Sequence, residues 1–161
     1  MSNVRRMIQA RPATADDDAA IRQLTRIAWQ EPDADTAPIP ADELASWFVV
    51  EAADGTVVAC AAGERQGSLS HLWLIRAVEG ERRELFALSA LNELTDLHQS
   101  EGALQQRYSA PVDAIGAEWV PPLLGRLGFV EQRRSGSGAF ETINLMRRLG
   151  RAPTRDHRED C

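Results

Sequence analysis

Glu64, His71 and Glu118 of this 161-residue chain are candidate general bases, side chains able to accept a proton from a substrate. His71 opens the apolar run SHLWLIRA (70–77), and its near-neutral pKa suits base work. It equally fits a strand-edge histidine bonded to a neighbouring carbonyl. A second chemical feature is IRAVEGERRELF (75–86), where an apolar run ends and a helix opens. A strand that passes through a short loop into a helix N-terminus is a common phosphate site. Such loops usually carry several glycines, whereas this one has Gly80 followed by Arg82 and Arg83. It reads as a phosphate cradle that has lost its glycines, as one built from guanidinium groups, or as an ordinary turn. Glu31, Asp33 and Asp35 lie in an acidic loop that could attract a cationic amine or simply be solvated. His71, His98 and His157 are scattered without ligand spacing, so no metal site is expected. Cys60 and Cys161 lie far apart, and Cys60 reads as a buried thiol within an apolar strand. No local Ser-His-Asp or Cys-His signature is present.

The elements that must position these groups are legible in the patterning. Met7 to Arg11 reads as a strand ending at Pro12. Thr14 then caps a helix with acids in its first turn, including a carboxylate at the third helical position. Ala20, Ile21, Leu24, Ile27 and Ala28 give that helix one apolar stripe. Residues 30–42 carry three prolines and form a loop, with a short helix at Ala41–Ser46. Trp47–Ala52 and Thr56–Ala62 are strands joined by Asp54-Gly55, a hairpin signal. Ser70–Ala77 is the next strand, and a helix follows from about Arg82 to His98. Its leucines at 85, 88, 91, 94 and 97 recur every three residues, so apolar contacts wrap much of the helix. A strand around Gln105–Tyr108, a short helix at Pro121–Leu127, and a last strand pair at Phe129–Arg134 and Ile143–Arg148 complete the order. SGSGAF (135–140) between that pair reads as a hairpin loop, and residues 151–161 as a polar tail on a single domain of 1–150.

Composition narrows the function classes. Apolar residues make up 43% and charged residues 26%, as in ordinary globular chains. Net charge is −6, and every one of the 18 basic residues is an arginine. An acidic balance argues against non-specific nucleic-acid binding. The N-terminal residues lack the apolar core of a signal peptide, and no run is long enough to span a bilayer, which points to a cytoplasmic protein.

The order of elements resembles the GNAT superfamily of acyl-CoA-dependent N-acyltransferases. Three stretches carry the resemblance: IQARPATADDDAAIRQL, FVVEAADGTVVACAAGER and PPLLGRLGF. They are similar to that family's first strand and helix, its central hairpin, and the short helix before its sixth strand. The resemblance implies an α+β fold (α/β in the broad sense) with a mixed, mostly antiparallel sheet of six to seven strands and about four helices. It also implies acetyl-CoA as cofactor and an amine as substrate. The fourth strand and the loop after it would hold the cofactor, which by position means Leu74, Ile75, Arg76, Val78, Gly80, Arg82 and Arg83. Two departures stand out. Arg83 and Leu85 fall where the family's loop has glycines, and Leu124 falls where many members place a tyrosine acid; the single tyrosine, Tyr108, is elsewhere. Two expectations follow. One is acyl transfer, with His71 or Glu64 as base. The other is a fold kept without chemistry, as a binding or structural subunit that meets a protein partner or itself, for instance in a viral assembly. The leucine-wrapped helix and outward-facing Trp29, Trp47, Trp73 and Trp119 would serve the second.

Overall fold

The computed structural model describes residues 8–25, 45–112, 116–136 and 141–150. Seven strands form one sheet in the order β1-β2-β3-β4-β5-β7-β6. They are β1 (Ile8–Pro12), β2 (Ala45–Ala52), β3 (Val57–Gln66), β4 (Leu69–Ala77), β5 (Gln105–Pro111), β6 (Val130–Glu131) and β7 (Thr142–Arg148). Among the described residues, three α-helices accompany them: α1 (Asp18–Thr25), α2 (Arg83–Ser100) and α3 (Val120–Arg126), with a 3-10 turn at Ala15–Asp17 before α1. All strand pairs are antiparallel except β4 with β5.

Local chemistry accounts for the joints. Asp54-Gly55 turns the β2–β3 hairpin with Gly55 at φ 88°, while the Asp54 carboxylate accepts from the Thr56 N–H at 2.9 Å. Asp17, the expected carboxylate at the third position, accepts from the Thr14 N–H at 2.8 Å and from the Arg11 guanidinium at 2.8 and 2.9 Å. That fork ties β1 to the start of α1. The expected helix at Ala41–Ser46 is corrected at its end, because Ala45 and Ser46 already pair with β3. The remainder of that segment, the acidic loop, Ile27 to Trp29 and the tail lie outside the described residues.

Pleating gives the sheet two apolar faces. On one, Phe48, Val50, Ala59, Ala61, Leu72 and Ile75 meet Ala87, Ala90, Leu91 and Leu94 of α2 and Val120, Leu123 and Leu124 of α3. On the other, Val49, Cys60 and Leu74 meet Ile21 of α1. Leu91 and Leu94 are fully buried, whereas Leu85 is 49% and Leu97 37% exposed. The three-residue leucine repeat thus rotates out of the core at both ends of α2. Among the described residues, no helix is long and apolar enough to cross a membrane.

Candidate functional site

β4 carries the geometry that matters. It pairs with β5 over only four positions, from Leu69↔Gln105 to Leu72↔Tyr108, and then the two strands part. At the same point β4 bulges against β3: Gly63 pairs with Leu72 and Ala62 with Leu74, leaving Trp73 as the extra residue. A Cβ on Gly63 would sit 2.6 Å from the His71 carbonyl oxygen, so only glycine lets the strands approach there. Beyond the bulge, the Val78 N–H donates to the Val58 carbonyl at 2.9 Å. Strand alternation therefore turns the backbone of Ile75 and Ala77 away from β3, toward the side that β5 has left. Such a gap is a cleft with an open strand edge along one wall.

The structure brings two of the three candidate bases together. Glu64 and His71 are direct cross-strand partners, and Arg107 stands on the other side of His71. This row lies on the face occupied by α1, one residue before the strands part. Burial, assisted by Arg107, holds the half-buried His71 below the usual histidine pKa, while Glu64 pulls the other way. His71 is therefore neutral near pH 7, the form that accepts a proton. Glu118 is exposed in the turn before α3, outside this row.

The cofactor residues expected from the sequence divide by face and by backbone use. Ile75 is buried in the core under α2, and Leu74 packs on the α1 side. Val78 spends its amide on β3. Arg76 turns its guanidinium back to the Ile75 carbonyl at 2.9 Å. Gly80 has φ 142° and open space about it. No side chain caps the N-terminus of α2; the Arg83 N–H donates to the Gly80 carbonyl at 3.3 Å, which leaves the Glu84 and Leu85 amides of the first turn for an anion. Arg82 is exposed beside them. Arg83 instead lies over the Trp119 ring, 4.6 Å from its centroid, and Glu84 pairs with Arg126 at 2.7 Å. Trp119, expected to face outward, is only 8% exposed because it packs under Arg83 and into the core. Trp73 at the bulge does face outward, at 36%.

Leu124 is wholly buried and offers no proton. The group that sequence reasoning passed over is Tyr108. It is 3% exposed and stands opposite Leu72 at the apex of the cleft. Burial raises its pKa, so it stays protonated, although Arg76 acts in the opposite sense. Its position depends on the parallel register of β5 with β4, which no local pattern announces.

Behind the apex, a buried polar network fastens the strands to α2. The His98 Nδ1 lies 2.7 Å from Ser70 Oγ, and Nε2 lies 3.2 Å from Ser46 Oγ. Gln106 donates to Ser70 at 3.2 Å and Thr95 at 2.9 Å, and accepts from Arg147 at 3.0 and 2.8 Å. His98 is 1% exposed with both ring nitrogens engaged, and Gln106 is fully buried, so this Ser-His contact supports the sheet.

Neither a family model nor a curated protein matches the chain by sequence. Solved structures do match it in shape. Ard1 from Thermoplasma volcanium is 17% identical, with a TM-score of 0.69 over 89% of this chain and 98% of its own. The ribosomal-protein-S18-alanine N-acetyltransferase of Escherichia coli is 16% identical, with a TM-score of 0.67 over 92% and 98%. A mutant of the spermidine N-acetyltransferase SpeG from Vibrio cholerae is 14% identical, with a TM-score of 0.66 over 88% and 94%. The chain has the fold of the GNAT acetyltransferases.

Proposed function

We propose that this chain is an N-acyltransferase that moves an acyl group from an acyl-CoA to an amine. One observation carries the reading: β4 leaves β5 at Leu72↔Tyr108 with a bulge at the same point, opening a strand edge between His71 and the start of α2. An open edge binds an extended, amide-bearing chain through the bonds another strand would make. The backbone of Ile75 and Ala77 would hold a pantetheine arm in that way. Gly80, Arg82 and the uncapped first turn of α2 would hold the phosphates. Acyl-CoA supplies the activated thioester, and the remaining tasks fall to the chain. His71 accepts the proton that the amine gives up, with the Glu64 carboxylate beside it favouring the imidazolium that forms. Tyr108 donates a proton toward the departing sulfur, the task that Leu124 cannot perform.

A second reading, a scaffold without chemistry, draws on the Arg83–Trp119 and Glu84–Arg126 contacts. Both join α2 to α3 across the place where phosphates would pass. On that reading the outward Leu85 and Leu97 meet a protein partner or another copy of the chain. Calorimetric titration with acetyl-CoA separates the two. Acyl transfer requires binding in the micromolar range, and Tyr108→Phe should keep that binding while slowing transfer by roughly 10²-fold or more. Absence of binding at millimolar acetyl-CoA would sink the enzyme and leave the scaffold. Weaker binding in Arg83→Ala would mean that Arg83 leaves Trp119 for the phosphates, and weaker binding in Arg82→Ala that the exposed Arg82 meets them.

A further inference from the structure

Arg76 stands across from Cys60 in the β3–β4 register and therefore on the α1 face of the sheet, the face that carries Leu74, Val49 and Ile21. It is a partly buried cation in an apolar setting. Its Nε is buried with no hydrogen-bond partner, and its Nη1 is turned to the Ile75 carbonyl at 2.9 Å. Among the described residues, no carboxylate pairs with it. Among the described residues, the titratable groups that act on it are Tyr108 and Cys60, both neutral near pH 7. Arg65 Nε is also buried without a hydrogen bond, but that guanidinium has Glu101 at 3.8 Å and donates to the Gly67 carbonyl at 2.8 Å. Arg147 spends its fork on Gln106, the Leu127 carbonyl and the Phe129 ring, and Arg11 spends its own on Asp17 and Glu51. A guanidinium does not deprotonate in a protein, so burial without an anion is costly.

Its unused edge, Nε with Nη2, has the spacing that takes a carboxylate in bidentate fashion. Its place decides whose carboxylate. Arg76 lies along the open edge of β4, near Tyr108, on the opposite face from α2. The phosphates of an acyl-CoA belong to the α2 side, where the free first-turn amides are. We infer that Arg76 holds a carboxylate of the acceptor, so that the amine acylated here belongs to an amino acid or similar amino carboxylate. The amine half of this assignment rests on the acyl-transfer reading; the carboxylate half rests on Arg76 alone.

Thermal unfolding of the full chain tests it, with L-amino acids, their amides, spermidine and inorganic phosphate as additives. Arg76→Met, which keeps the apolar stem, should raise the Tm of the free protein by removing an unpaired charge. Amino acids should raise the Tm of the wild type and not of the variant, and the amides should do neither. With acetyl-CoA present, free amino acids should be acylated at least about tenfold faster than their amides, and Arg76→Met should erase that preference. Equal stabilisation by phosphate would mean an adventitious ion only and overturn the assignment. It is equally overturned if amides or spermidine match the amino acids, if no amino acid shifts the wild type, or if Arg76→Met keeps the amino-acid response. Failure of acetyl-CoA to bind would remove the acyl-transfer reading, while the amino acid and amide comparison would still decide the carboxylate.

Discussion

At the scale of single residues, two buried groups limit the fold on the acid side, each in its own pH range. Asp17 is 5% exposed, and the Arg11 guanidinium holds its carboxyl below the usual carboxylate range. Its stabilisation is complete above the ordinary aspartate value and is lost as pH falls through the lower folded value. His98 is also held low, by burial, with Arg65 in support and Glu101 opposed. The unfolded chain therefore binds that proton first, and stability should already decline as pH drops below about 6.5. Denaturant midpoints measured against pH should show both regimes, a shallow loss below about 6.5 and a steeper one below about 4. Asp17→Asn should cost about 2 kcal/mol at neutral pH, from the charge-assisted bonds it gives up, and flatten the acid regime. His98→Gln should remove the His98 share of the upper regime, leave the share of the likewise depressed His71, and spare the acid regime. A histidine profile unchanged in that variant would contradict the assignment.

At the scale of elements, the bulge in β4 is the feature on which the site depends. Gly63→Ala places a methyl against the His71 carbonyl, a backbone atom that cannot rotate aside. It should cost about 1–3 kcal/mol and weaken acetyl-CoA binding together with it, because the bulge and the parting of the strands share one position. Gly125, exposed within α3 with nothing near its Cβ position, is the control: Gly125→Ala should stabilise the chain by about 0.5–1 kcal/mol and leave binding alone. Chemical denaturation gives both values. These elements differ in how far the sequence discloses them. Alternation and Asp54-Gly55 are local, so β2, β3 and their turn could be read directly. The Thr14–Asp17 start of the first helix is local too. The bulge was not legible, since it exists only relative to a partner strand. Ser46 looks like the end of a helix until His98, 52 residues away, gives it a partner in β2. Trp119 looks like a surface aromatic until Arg83 covers it, and Tyr108 acquires its place only when β5 finds β4. In the cofactor loop, side chains could be named from the sequence, but the uncapped helix start and the Arg83 stack could not.

At the scale of the whole molecule, the sheet is two leaves, β1 to β4 and β5 to β7, that share four parallel pairings. The first leaf is a run of antiparallel neighbours, β1 to β4, and the second closes through long-range partners. Native-state amide exchange should separate them, with the β5–β7 amides opening at lower free energy than those of β2 and β3. Uniform protection across the sheet would show that the leaves open as one. The few pairings between leaves leave the His98–Ser70–Gln106–Arg147 network as the strap across their junction, since it has members on β2, α2, β4, β5 and β7. A strap at the closed end of a wedge sets the angle of its mouth. The size of acyl group that the cleft admits would then be governed by buried amide and hydroxyl groups that no substrate touches. A search for altered acyl-chain selectivity would begin at Gln106, behind the apex, rather than along the cleft walls.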